Sequence, residues 1–317
     1  MRGNVLVLGA NGRLGRAAMT AFEAAGWGCV GQVRRAPSSR TTARWLELPL
    51  EDSVALAQAA GRVECVLHAI NPPYPQWHAQ ALPLARQALD VARRLDALLL
   101  FPGNVYNFGA AMPPLLSEDT PQSPTARKGR VRVAIEAMLR EGARAGARCA
   151  VLRAGDFFGA GRGAWFDLIV AKPLLRGKVI YPGRLDIPHA WAYLPDFARA
   201  FVALAQERAR LAPYEVCHFP GHAPTGTQLV DAIGAWARSR GYLAADRTLR
   251  IDRLPWGMLR LGGMLVPMWR ELAEMRYLWD VPHRLDGAKL RGLIGELPHT
   301  PLQVAVDAAL EALFPQR

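Results

Sequence analysis

VLVLGANGRLGRA, residues 5–17, decides how the rest of the chain is read. An apolar run starting at Asn4 leads into three glycines, Gly9, Gly12 and Gly15, and an alanine-rich segment follows. A strand, a glycine turn and a helix in that order make a phosphate cradle. Gly9 permits the tight turn, Gly12 lets the backbone approach a pyrophosphate, and Gly15 allows helix and sheet to pack closely. The free N–H groups of the helix N-terminus then face the anion. Asn11, Arg13 and Leu14 complete the turn. Because the glycines stand between a strand and a helix, the pattern predicts a bound dinucleotide.

The end of the second strand decides which dinucleotide. An Asp or Glu there would hydrogen-bond the adenosine ribose of NAD and repel a 2′-phosphate. The sequence instead reads Gly31-Gln32-Val33-Arg34-Arg35. A guanidinium grips phosphate through parallel charge-assisted bonds. Arg34 is therefore the expected determinant of NADP(H), helped by Arg13 and Arg35, with NAD(H) the alternative if these are only solvated loop charges. Asp52 has two readings, a contact to the adenine amino group or the N-cap of the next helix.

Outward from this point, short apolar runs alternate with helical patterns. The runs at 5–8, 29–33, 45–48, 65–69, 98–101 and 149–153 read as strands, with a weaker one at 215–219. Helices are expected over 14–25, 53–60, 76–95, 129–145 and 195–207. Such alternation implies βαβ units, and so an α/β, Rossmann-type, doubly wound parallel sheet. The expected organisation is a nucleotide-binding domain over 1–158, its sheet completed by about 190–220. Segments 159–189 and 222–317, irregular and rich in Pro, Trp and Tyr, are expected to form a smaller C-terminal substrate-binding lid.

Composition narrows the partners. About half of the 317 residues are hydrophobic and a fifth are charged, as in an ordinary globular protein. The net charge of +12 comes from scattered arginine, with only Lys128, Lys172, Lys178 and Lys289 as lysines, so no stripe for nucleic acid is expected. Cys29, Cys65, Cys149 and Cys217 lie far apart in apolar runs, which reads as reduced, buried thiols without a metal site. The first strand starts too early to leave room for a signal peptide. The apolar segment 254–269 is broken by Arg260 and is too short to span a bilayer. A cytoplasmic protein without a membrane partner is expected, and a homodimer is left open.

Further motifs carry a resemblance. VLHAINPPY (66–74), LLLFPGNVYNFG (98–109), VLRAGDFFGAG (151–161) and AWAYLPDFARAFVAL (190–204) accompany the glycine turn. With them the chain resembles the short-chain dehydrogenase/reductase superfamily, and more particularly its extended branch, the NAD-dependent epimerase/dehydratase group. The resemblance implies that Ala69, Ile70 and Asn71 flank the nicotinamide end. It also marks departures. The polarising Ser or Thr of the family falls on Pro102, its catalytic Tyr on Lys128 and its Lys on Arg132. KGRVRVAIEAML (128–139) is also similar to the helix of isoflavone-reductase-like proteins, where a lysine is implied as the acid/base.

Two proton donors are therefore expected for reduction of a carbonyl or conjugated small molecule. A free lysine titrates near about 10.4; burial and a neighbouring guanidinium, with Arg132 in that role, would bring Lys128 toward the working range. Alternatively Lys128 and Arg132 clamp the cofactor. Four basic residues at this helix start are unfavourable for its dipole, which calls for an anion, from cofactor or substrate. Tyr106 is the second donor, with Asn104 orienting a substrate oxygen; Asp156 and His189 are further pocket candidates. Asp196 reads as a helix cap. Rival readings are a sugar-derivative epimerase or dehydratase, and a non-catalytic NADPH-binding redox sensor.

Overall fold

The computed structural model describes residues 2–36 and 43–315. Seven strands form one parallel sheet: β1 Asn4–Leu8, β2 Gly28–Gln32, β3 Arg44–Leu46, β4 Cys65–His68, β5 Leu98–Asn104, β6 Arg148–Ala154 and β7 Tyr214–His218. Their order across the sheet is β7-β6-β5-β4-β1-β2-β3. Each expected strand is present, displaced by a residue or so at its ends. β5 is the exception, running on through Pro102 and Gly103 to Asn104. Turn residues suggest a stop there, but β6 pairs with β5 along its whole length.

Period-two alternation sorts the side chains between two layers. Val5 and Val7 of β1 face a core with α1 (Arg13–Ala24) and α5 (Leu194–Gln206), where Phe22, Phe197 and Phe201 are fully buried. Leu6 and Leu8 face the opposite core, built with α2 (Ser53–Ala60), α3 (Trp77–Arg94) and α4 (Arg127–Arg144). All four cysteines are buried and free, and burial pushes each thiol up to about 12. Among the described residues no group of His, Cys, Asp or Glu could hold a metal ion.

The chain order reverses between β1 and β4, and this switch point places the crevice. β4 pairs with β5 only as far as Leu100, so the remainder of β5 borders that crevice. A third core lies beyond it, joining the turn after β5 to the C-terminal helices. These are α6 (Gly226–Ser239), α7 (Trp256–Gly262), α8 (Pro267–Ala273), α9 (Tyr277–Asp280) and, after α10 (Ala288–Ile294), which packs through Leu290 into the core of α1 and α5 instead, α11 (Leu302–Leu313). Trp165, Phe166, Tyr181, Trp191 and Trp279 are buried together in this core. Most of the aromatic residues of the C-terminal half thus hold the fold. Asp196 does not cap α5. It lies inside the first turn, where its carboxylate accepts from the Thr300 amide at 2.6 Å and hydroxyl at 2.8 Å.

Four buried histidines make the fold acid-sensitive. Burial depresses His68 and His283 to about 3, and His218 and His222 to about 4. His218 shows why: its Nε2 accepts from Arg153, which is itself locked to Glu136, and its Nδ1 donates to Leu116 O. Between those values and the free value of 6.5 the unfolded chain binds more protons, so stability must fall as pH falls through this window. The unfolding free energy from urea titration should drop by up to about 1.4 kcal/mol per pH unit for each histidine, and the midpoint with it. A flat midpoint from pH 6.5 to about 4 would show these rings already charged in the native state.

Candidate functional site

The turn of residues 9–15 is shaped by its glycines. Gly9 has φ +76°, and Gly12 N donates to Gly9 O at 2.9 Å. A Cβ on Gly15 would sit 2.4 Å from Gly9 O and 2.7 Å from Ala10 Cα, so only glycine lets α1 start this close to the turn. The first N–H groups of α1 have no carbonyl partner within the helix. Asn11 stands beside them, donating to Arg35 O at 2.8 Å and so tying the turn to the end of β2.

At the end of β2, Gln32 is buried rather than offered to a ribose. Its carboxamide accepts from Gly9 N at 3.0 Å and donates to Leu48 O at 2.8 Å. Arg34 and Arg35 are exposed. A carboxylate does approach this loop from β3: Glu47 accepts the Ala36 amide at 3.0 Å. Arg13 is not grouped with Arg34 as expected. Its Nη2 donates to Gly159 O at 2.6 Å and lies 4.0 Å from Asp167, so it bridges the glycine turn to the C-terminal half. Asp52 caps α2, accepting from Ala55 N at 3.0 Å.

A cavity of about 330 Å³ opens from the glycine turn into the crevice. Gly12, Arg13 and Leu14 line one side; Ala69, Ile70 and Asn71, just after β4, line the next. Pro102, Asn104, Tyr106, Lys128 and Arg132 form the far wall with Asp156 and Trp165. Gly9, Asn11, Gly15, Arg34, Arg35 and Asp52 lie outside it. Arg132 crosses under Pro102, donating from Nη1 to its carbonyl at 2.7 Å and lying 4.7 Å from the Trp77 ring centre. Burial lowers this guanidinium to about 10. Arg13 Nε and Arg132 Nε are buried donors, and His68 Nδ1 a buried ring nitrogen, without a hydrogen-bond partner among the described residues. Orphan donors around a glycine cradle suit a phosphate- and ribose-bearing ligand, so these residues fit a dinucleotide.

Lys128 also reaches the cavity, yet its charge is answered from within the fold. Its ammonium bonds the Glu271 carboxylate, lies 3.3 Å from Glu271 O, and sits 4.6 Å from the Tyr74 ring centre. Glu271 is on α8 and Glu274 directly follows it, and Arg127 holds both, at 2.6 Å and 2.8 Å. The anion that the basic helix start calls for is thus this glutamate pair. Glu274 also accepts the Arg127 amide at 3.2 Å, standing in for the missing N-cap of α4. Burial lowers the Lys128 pKa, opposed by Glu271; the neighbouring guanidinium acting in the same direction as burial is Arg127, not Arg132.

Tyr106 is placed differently. Asn104 ends β5, and its side-chain Oδ1 accepts from Tyr106 N at 3.1 Å, fixing the turn rather than a substrate. Gly129 at the start of α4 presses on the same turn, since a Cβ there would lie 2.3 Å from Tyr106 O. The phenol is 3.4 Å from the Tyr74 hydroxyl and donates to Asp156 Oδ1 at 3.3 Å. Burial, with Tyr74 and Asp156 nearby, raises it well above the ordinary value. Behind Asp156 stands His189, buried against Trp279, with ring centres 4.3 Å apart. Its Nε2 is 3.0 Å from Asp156 Oδ2 and its Nδ1 is 3.2 Å from Leu278 O. Both ring nitrogens face acceptors, and a neutral imidazole donates from only one.

Sequence reasoning did not find Tyr74, Trp77, His68 or Glu271 at this site. Tyr74 is visible in the quoted stretch after β4. Glu271 left no local signal, because its meaning depends on Lys128, far away in the chain.

Residues 5–217 match the NAD dependent epimerase/dehydratase family, and the chain belongs to it. No curated protein matches the sequence. Several solved structures share the fold over nearly the whole chain. A UDP-glucose 4-epimerase of Thermotoga maritima, with UDP-glucose, aligns at TM-score 0.72 and 19% identity, covering 98% of both chains. The Bordetella bronchiseptica enzyme WbmH, in complex with NAD+, aligns at 0.73 and 17%, covering 98% of this chain and 97% of that one. The UDP-Glc/GlcNAc 4-epimerase of Campylobacter jejuni aligns at 0.73 and 15%, covering 98% of each.

Proposed function

We propose that this member of the NAD dependent epimerase/dehydratase family binds a nicotinamide dinucleotide and acts on an alcohol or carbonyl carbon of a sugar-like small molecule, as an epimerase or dehydratase. The observation that carries the reading is the convergence of two features on one cavity, the glycine turn and the Tyr106–Asp156–His189 line. The family match and the sugar-nucleotide enzymes among its structural neighbours favour this substrate class. The bound nicotinamide would supply the hydride acceptor or donor.

The chain's own residues do the rest. The amides of the glycine turn and the start of α1 hold the pyrophosphate. Arg132, with an orphan Nε, suits the ribose hydroxyls, and residues 69–71 flank the nicotinamide end. The raised Tyr106 phenol keeps its proton at neutral pH, which suits it to protonate an oxygen that gains negative charge. Asp156 and His189 can return that proton. In the oxidative direction the same line drains a proton from a substrate hydroxyl. Lys128, already paired, serves as a wall and a tie to α8.

A second reading is reduction of an apolar carbonyl compound, favoured by the aromatic lining of Tyr74, Trp77, Phe101, Phe157 and Trp165. Turnover of UDP-sugars against a panel of aromatic ketones and enals, each followed by product analysis, separates the two. Product from the ketones alone would sink the sugar reading.

On the cofactor, we take NADP(H) as preferred over NAD(H), because Arg34 is exposed beside a cradle whose β2 end presents no carboxylate to the ribose. Replacing Arg34 by Ala should weaken NADPH roughly tenfold or more, the worth of one charged hydrogen-bond pair, and leave NADH unchanged. Equal affinities in the unaltered chain, measured by fluorescence titration, would remove Arg34 from that role. Tight binding of nucleotide with no turnover on any panel member would favour the sensor reading.

A further inference from the structure

The segment from Arg253 to Arg270 lines no part of the cavity, and its surface is unusual. It carries three exposed arginines, Arg253, Arg260 and Arg270, and no Asp or Glu. It folds as the hairpin of α7 and α8. Gly262 meets the Trp269 ring, where a Cβ would be 2.4 Å from Cε3, and a Cβ on Gly263 would lie 3.0 Å from the Arg270 backbone. The inner face of the hairpin is thereby filled, which sends the side chains of the tip outward. Met264 is 77% exposed, Leu265 88% and Leu261 69%, with Met258 and Met268 beside them.

We propose that this α7–α8 hairpin docks on an anionic lipid surface, its Met264–Leu265 tip entering the acyl boundary and its arginines meeting the headgroups. Three observations choose this occupant. First, the apolar tip protrudes, and a fluid hydrocarbon phase accepts a protrusion without a matching socket, whereas a protein partner would need one. Second, the tip is flanked by the exposed Arg260 and Arg270, and the carboxylate nearest to them, Glu271 at 3.9 Å from Arg270, is buried and held by Lys128 and Arg127, which leaves the hairpin surface cationic, the pattern of an interfacial helix that binds anionic lipid. Third, a second copy of this chain on a two-fold axis would bring the same arginines against one another. Among the described residues no helix is long and apolar enough to cross a membrane, so the contact is peripheral. The earlier expectation of no membrane partner rested on spanning length alone. The hairpin also carries Glu271, the partner of Lys128 at the cavity wall, so docking would take place on the element that closes the site.

Flotation with phosphatidylcholine vesicles, with and without phosphatidylserine, tests this on the full-length chain. The expected result is binding to the phosphatidylserine vesicles only, reduced by added salt. Met264→Glu and Leu265→Glu should each weaken it roughly tenfold or more, as the burial of one large apolar side chain implies. Both positions are exposed, and an unchanged melting temperature and NADPH affinity would show the variants folded. Absence of flotation, or flotation equal in the variants, overturns the proposal. So does a concentration-dependent dimer that the same substitutions abolish, since that would make the tip an interface between copies. Replacing Arg260 and Arg270 by Gln should weaken binding and flatten its salt dependence; unchanged salt dependence also counts against it.

Discussion

Tyr106→Phe should lower turnover by roughly a hundredfold to ten-thousandfold, the span of general acid–base catalysis, with nucleotide affinity unchanged. The substitution removes one oxygen and leaves the ring packed against Val105 and Phe108 in the same core. Only two polar contacts go, those to Tyr74 at 3.4 Å and Asp156 at 3.3 Å, and both are long. Stability should therefore change little, which separates a chemical effect from a folding one. His189→Asn should act more gently. It keeps a donor near Asp156 but removes the imidazole that joins Asp156 to Leu278 O, so the loss should fall on kcat while KM holds. A Tyr106→Phe variant that turns over at the normal rate would remove the phenol from the reaction. In that case Lys128, the other proton-bearing group on the far wall, would inherit the role.

Most of the sheet was legible because its strands are short, apolar and bounded by turns, signals that act locally. Only β5 ran past its expected end. Pro102 and Gly103 read as a stop in isolation, and pairing with β6 out to Asn104↔Ala154 overrides that tendency. The α5 start shows the same limit from the other side. Asp196 followed by an apolar run suggests a cap, but its carboxylate is claimed by Thr300, more than a hundred residues later. Local propensity places elements well and assigns their long-range bonds poorly.

The site divides along the same line. Gly9, Gly12 and Gly15 could be placed because their task is set by backbone geometry within one turn. Residues 69–71 and Tyr106 could be placed because ligands gather at the carboxyl ends of parallel strands. Arg13 could not, since its direction depends on the approach of the loop with Gly159 and Gly163, both of positive φ. Lys128 was found at the cavity yet misread in its surroundings. The helix start RKGRVR displays its excess of charge in the sequence, whereas the answering carboxylates belong to an element of the C-terminal half. A charge without a local partner is thus evidence for some anion, and not for a ligand in particular.

The Lys128–Glu271 pair allows that distinction to be drawn by stability. Both side chains are almost fully buried, at 2% and 3% exposed. Glu271→Leu would leave the Lys128 ammonium buried with no carboxylate partner of its own, and should cost on the order of 3–5 kcal/mol in urea unfolding. Lys128→Met should cost less, because Glu271 keeps Arg127 at 2.6 Å. With both replaced by apolar groups of similar size, much of the loss should return, since the desolvation penalty disappears together with the attraction. The sign of the pH effect follows. Once Glu271 no longer opposes burial, the folded state holds the Lys128 proton less tightly than the unfolded chain does, so the penalty in Glu271→Leu should shrink as pH rises toward the free value of 10.5. Turnover then separates structure from chemistry. If Lys128 is only a tie to α8, the double variant should regain turnover along with stability. If it donates the proton, every variant lacking it stays inactive, however well it folds.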